Sequence, residues 1–225
     1  MFFSASFYQY VLSKIYEHLQ ITFTSLFLAS ILAIPLGSIL AKSTNAFFAN
    51  VILRIVAAIQ TVPGLALIAL TTAMLVLLRS YILVPTVGFL PGTLVLSIYA
   101  ILPMMNSTYS GIRGIDPSLL EVARGMGMTR MQMFSMIEFP LALPAILMGF
   151  RVSLVWTFGS ATLTSLIGSG GLGDLILQGL RTMNVPIICF GTIPLMILAI
   201  FFDGLVAHFG PKLLKGPSYK TTENS

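Results

Sequence analysis

Charge is what this sequence most lacks. Asp, Glu, Lys and Arg make up 8% of its 225 residues, where about 25% is usual in soluble globular proteins. Together with a mean hydropathy of +0.96, that excludes an ordinary soluble domain and reads as a polytopic membrane protein. Cysteine occurs once, as Cys189 inside an apolar run, so no internal disulfide can form. His18 and His208 lie far apart and there is no cysteine pair, which leaves no candidate metal cluster. No serine–histidine–acid set and no P-loop lysine is present, so the chain is not expected to be an enzyme or to hydrolyse ATP itself. The basic excess, 12 against 7, is spread singly between hydrophobic runs, without the basic stripe that nucleic acid requires. Residues 1–19 lack the early positive region and cleavage site of a signal peptide. Tyr8, Tyr10, Val11, Ile15, Tyr16 and Leu19 predict instead an amphipathic helix lying in the membrane interface.

Five hydrophobic segments approach the ~20 residues that a spanning helix needs: 20–41, 51–78, 84–104, 145–167 and 186–207. The fold class expected is an all-α membrane protein of about five spans. The second segment is interrupted at Gln60-Thr61-Val62-Pro63-Gly64. We read it as one tilted helix, kinked or locally unwound at Pro63, whose freed backbone groups face protein or water. With the 104–144 region in the cytoplasm, Lys42, Arg54, Arg113, Arg124, Arg130, Lys212, Lys215 and Lys220 fall inside and Lys14, Arg79 and Arg181 outside. That asymmetry follows the positive-inside rule and predicts an outer N-terminus and a cytoplasmic C-terminus. Residues 210–225 read as a polar tail.

The longest stretch unsuited to lipid runs from Asp116 to Pro144, within a charged segment 113–144. Asp116 can cap a short helix that has Pro117 at its first position. Gly125 and Gly127 end it, and Thr129 with Gln132 predicts a capping box for a second helix. Met133, Met136 and Ile137 share a face at helical spacing, and Pro140 and Pro144 are expected to stop this helix. The product is a bent knuckle outside the bilayer, which by physics alone could simply rest on headgroups.

The residue pattern says more. Glu121-Val122-Ala123, then Gly127 after three residues, then Ile137-x-Phe139-Pro140 after nine resembles the coupling motif of ABC importer permeases, Glu-Ala-Ala, Gly, Ile-x-Leu-Pro. The departures are Val122 and Phe139, both apolar. Pro35-Leu36-Gly37, Ile59 to Leu67, Asn106 to Ile112 and Ala161 to Asp174 are similar to the permeases that import quaternary amines such as glycine betaine, choline and carnitine. The resemblance spans residues 16–208 and implies the type I importer fold with a cytoplasmic coupling helix. It also implies two ATPase subunits that use ATP and Mg, a second permease copy or paralogue, and an extracytoplasmic solute-binding protein in a bacterial inner membrane. The chain itself would bind no cofactor. Glu121, Ala123 and Gly127 would shape the docking surface, and Ile137, Phe139 and Pro140 would anchor it. Methionine-type permeases share the layout and the glycine run, so an amino-acid importer is the alternative; a passive channel or osmotic sensor is a remoter one.

Gly168 to Asp174 is not read as a nucleotide cradle, because no strand precedes it. Candidate pathway residues are Gln60, Thr61, Pro63 and Gly64 at the helix interruption, with Trp156, Ser160 and Thr164. Trp156 can equally be a packing or lipid-facing ring, and the small polar residues can equally serve helix packing. Arg151 and Asp203 lie near enough to the interface to snorkel or to pair, and a structural role is read for each.

Overall fold

The computed structural model describes residues 5–214, and every regular element among them is a helix. Helix α1, Ala5–Ala41, runs 37 residues without a break. At 1.5 Å per residue it is about 55 Å long, against a hydrocarbon core of ~30 Å. The separate interfacial helix expected over 1–19 is therefore not a separate element: from Ala5 it continues directly into the first span. No glycine or proline lies in that stretch to stop it, and Lys14 and Glu17 find partners within the fold.

Helices α2 (Ala46–Gln60) and α3 (Gly64–Leu78) occupy the second segment, and their axes are bent by 101°. The break expected at Pro63 is there, with the chain unwound between Gln60 and Gly64, but the bend is far sharper than a kink in one tilted helix. Pro63 sits at φ −55°, ψ 139°, as a proline entering a new helix should. The corner is held from outside: Tyr99 Oη donates to the Val62 carbonyl at 2.5 Å, and Gln60 Nε2 donates to the Tyr99 carbonyl at 2.7 Å. Helix α4, Phe89–Arg113, follows and passes through Pro103.

The knuckle comes next. Helix α5 (Pro117–Gly125) has Asp116 Oδ1 accepting from Ser118 N–H at 2.9 Å. Gly127, at φ 76°, makes the left-handed turn that glycine tolerates best. Helix α6 (Arg130–Met133) opens with the capping box of Thr129 and Gln132. Pro140 and Pro144 do not end this helix. It passes through a π-helical turn, Phe134–Glu138, into α7, Phe139–Thr164. In the wider turn Phe139 N–H donates to the Phe134 carbonyl, so the ladder is continued on the residue before Pro140, which has no N–H to give. Proline further along is tolerated in a membrane helix whose neighbours cover the freed carbonyl. The extra residue of the π turn also breaks the expected face: Met133 is buried and Met136 exposed, while Glu138 turns inward.

A glycine-rich turn leads to α8 (Leu172–Arg181), an amphipathic helix not anticipated between the last two spans, and α9 (Val185–Leu214) closes the described chain. α9 carries helix past Gly210, into the segment read as tail; residues 215–225 lie outside the described residues. Among the described residues four helical stretches are long and apolar enough to cross a membrane, α1, α4, the run Arg130–Ile167 and α9, and the bent α2–α3 pair makes a fifth if it is counted as one broken span.

Helices α1, α4 and α7 form the core, with Leu26, Ala33, Met105, Leu154 and Phe158 fully enclosed. Small residues allow this closeness. A Cβ on Gly37 would stand 2.7 Å from the Met105 carbonyl oxygen, and one on Gly149 would stand 2.6 Å from Ser107 Cβ. Two buried hydroxyls bond across the seam: Ser97 donates to the Ser25 carbonyl at 3.1 Å and Ser153 to the Ala100 carbonyl at 2.8 Å.

Candidate functional site

Two regions carry the predicted residues. On the knuckle, Ala123 is fully buried, Glu121 and Gly127 are exposed, and nothing in the chain lies within 4 Å of a Cβ placed on Gly127. Around them Leu119, Val122, Met126, Met131 and Met136 are all exposed. An apolar patch on a segment rich in charge is unstable facing water and marks an interaction surface. Phe139 packs with Phe134 against Ala41, Ile112, Ala142 and Ile146, where α1, α4 and α7 converge. Ile137 is half-buried and Pro140 exposed, so of the three expected anchors Phe139 has the packing.

Sequence reasoning missed the strongest tie between knuckle and bundle. Glu138, whose side chain is 7% exposed, forms an ion pair with Lys42 at the end of α1. The Lys42 ammonium also stands 4.5 Å from the centre of the Phe134 ring. Arg113 Nη1 adds a weak bond to the Ala41 carbonyl at 3.4 Å. A lone glutamate in an otherwise apolar stretch beside Pro140 was the available signal; its partner lies too far off in sequence to be inferred. At the first helix of the knuckle, the Ser118 backbone N–H holds the Asp116 carboxyl below its ordinary value.

All seven pathway candidates, Gln60, Thr61, Pro63, Gly64, Trp156, Ser160 and Thr164, line one cavity of about 270 Å3 at the α2–α3 corner. A second of about 260 Å3 adjoins it and shares Gln60, Tyr99, Trp156 and Ser160. Tyr99 was not foreseen; an aromatic residue in an apolar run gives no sign of what it will face. None of the residues lining either cavity is charged.

Three more ion pairs occur among the described residues. Arg151 holds Asp203 through two bonds of 2.8 Å, joining α7 to α9. Lys14 bridges Glu17 and Asp174, each at 2.8 Å, and Glu17 accepts from Gly171 N–H at 2.9 Å. This fastens the glycine-rich turn to α1, and the turn is a packing element. Among the described residues no group of metal-ligating side chains occurs.

A helical bundle with a broken span, and a charged knuckle that carries exposed apolar side chains, fits the permease layout that the sequence resembles. The chain belongs to the family of binding-protein-dependent transport system inner membrane components, whose profile matches residues 33–215. It is therefore a multi-pass inner-membrane transport subunit of an ABC importer and not an enzyme, and such permeases work with an ATPase and a binding protein. Among its relatives is the choline transport system permease protein OpuBB of Bacillus subtilis, 39% identical over 203 residues, covering 90% of this chain and 88% of that one. The carnitine transport permease protein OpuCB of Listeria monocytogenes is 38% identical over 193 residues, covering 86% and 83%. The inward-facing methionine ABC transporter MetNI shares the fold, with a TM-score of 0.78 at 21% identity, covering 94% of this chain and 97% of that one.

Proposed function

We propose that this chain is the membrane-spanning subunit of an ATP-driven importer for quaternary-amine osmoprotectants such as glycine betaine, choline or carnitine. The observation that carries the coupling half of this reading is the exposed apolar face of the knuckle, Leu119, Val122, Met126, Met131 and Met136 around Glu121 and Gly127. It is the surface on which an ATPase subunit docks. Two such subunits, supplied with ATP and Mg, serve two permease chains, this one and a second copy or paralogue. ATP binding draws the ATPases together and swings the knuckles, and each knuckle turns its bundle through Phe139 and the Lys42–Glu138 pair. A solute-binding protein delivers cargo at the opposite face, so the N-terminus lies outside and the C-terminus in the cytoplasm. Solute passes by the α2–α3 corner along Gln60, Thr61, Pro63, Gly64, Trp156, Ser160 and Thr164. The substrate class follows the relatives, whose names give choline and carnitine as cargo.

Uptake of labelled glycine betaine by cells carrying the whole transporter tests this, with choline, carnitine and methionine as competitors. Uptake that needs ATP and is blocked by quaternary amines alone supports the reading. Uptake that survives ATP depletion would make the chain a channel, and uptake of methionine with betaine ignored would overturn the substrate class.

A further inference from the structure

The cavity at the α2–α3 corner has a chemistry of its own. Trp156, the single tryptophan of the chain, lines both of its lobes and is 71% exposed. Tyr99 lines both as well, and is fixed at each end: its hydroxyl is committed to the Val62 carbonyl and its own carbonyl accepts from Gln60. With the hydroxyl spoken for, what Tyr99 contributes to the wall is its ring. The remaining polar groups are neutral, the Gln60 amide and the hydroxyls of Thr61 and Ser160 among them.

This lining suits one kind of cation. A primary ammonium carries N–H donors that must each find an acceptor when water is left behind, and no carboxylate is there to take them. A quaternary ammonium has no N–H to satisfy. Its charge is spread over methyl groups, and aromatic faces attract it. The lobes, about 260 and 270 Å3, sit near the lower end of small-molecule sites at roughly 300 Å3, a size for a small solute. We propose that Trp156 and Tyr99 form a contact site for the quaternary ammonium group of the passing solute, so that the permease itself takes part in selecting its cargo. The proposal rests on the import reading above and adds a site to it.

The single tryptophan makes the test direct. The purified full-length chain in protein-free lipid vesicles is titrated with tetramethylammonium chloride and with choline while Trp156 emission is recorded, with sodium chloride and methionine as controls. A saturable change with both quaternary cations and with neither control is expected. Tyr99→Ala should raise the half-saturation point about five- to thirtyfold, the range of one desolvated cation–π contact, and Tyr99→Phe, which keeps the ring and loses only the hydroxyl tie to Val62, should raise it less. Emission unmoved by quaternary cations at concentrations that saturate uptake, or moved equally by methionine, would overturn the site. ATP-driven betaine uptake is measured separately: uptake with a silent Trp156 removes the contact site and leaves the importer, whereas a responsive Trp156 without uptake supports the site and removes the import reading.

Discussion

The Lys42–Glu138 pair allows a sharp prediction because its two ends are unequally buried. The Glu138 side chain is 7% exposed and that of Lys42 is 40% exposed. Removing one partner of a buried pair costs about 3–5 kcal/mol when the survivor is left charged and enclosed. Lys42→Gln creates that situation, since the Glu138 carboxylate stays deep against the π turn, and a loss on the order of 3 kcal/mol is expected. Glu138→Gln strands only a lysine whose long stem reaches water and whose ammonium keeps the Phe134 ring. An exposed pair contributes roughly 0–1 kcal/mol, so a loss of about 1 kcal/mol is expected there. At about 2–4 °C per kcal/mol for a chain of this size, the thermal midpoint in detergent should fall by roughly 6–12 °C for Lys42→Gln and by about 2–4 °C for Glu138→Gln. In the reconstituted importer both variants should hydrolyse more ATP per solute moved, because the knuckle then loses one of its ties to the block of α1, α4 and α7, and the reversed pair K42E/E138K should recover part of the ratio. Equal midpoints for the two single variants, or an unchanged ATP-to-solute ratio in both, would refute the reasoning.

Gly127→Asp should abolish uptake at normal expression, since a side chain at φ 76° costs about 1–2 kcal/mol and projects into the docking face; normal uptake would sink that assignment. Gly37→Leu should destabilise by about 1–3 kcal/mol through overpacking, read as a lowered thermal midpoint, because its Cβ already meets the Met105 carbonyl and Thr108. Asp203→Asn should lower expression, whereas R151L/D203L should restore most of it, since an apolar pair replaces a partly buried ionic one at little net cost; a double variant as poor as the single one would contradict this. Asp116→Ala should fray α5 and weaken ATPase binding, while Asp116→Asn should not. Because the carboxyl lies below its ordinary value of 3.8 in the fold, its stabilisation is present above that pH and is lost as pH falls through the lower folded value, so ATPase binding by the native chain should stay flat from pH 8 to 5.

The knuckle was legible in the sequence because its signals are local. Asp116, Pro117, Thr129 and Gln132 act within a few residues of themselves, and each cap stands where its residue type demands. The spans were legible as apolar runs, but their ends were not. Proline at 140 and 144 was weighed by the rule for helices in water, whereas a π turn and covering neighbours let the helix pass. Residues 1–19 read as a separate interfacial helix, yet α1 runs straight on through Lys14, which Asp174 meets from across the fold. The gathering of Gln60 with Trp156 and Ser160 was open to guesswork only as a list of polar residues in apolar runs. What unites them is the right-angled corner at Pro63, and no periodicity announces an angle of 101°.

The seam of α1, α4 and α7 sets how this molecule can move. Gly37 and Gly149 are seated against carbonyl oxygens and side chains of α4 with no clearance for even a methyl group. Interlocked surfaces of this kind have no slip plane: to slide one helix past another, the steps on each would have to ride over those of its neighbour. The three helices can turn together and cannot shear. A torque applied at Phe139 and Glu138 would thus reach the whole block at once, and relative motion is left to the α2–α3 corner, which is tied to α4 through Gln60 and Tyr99.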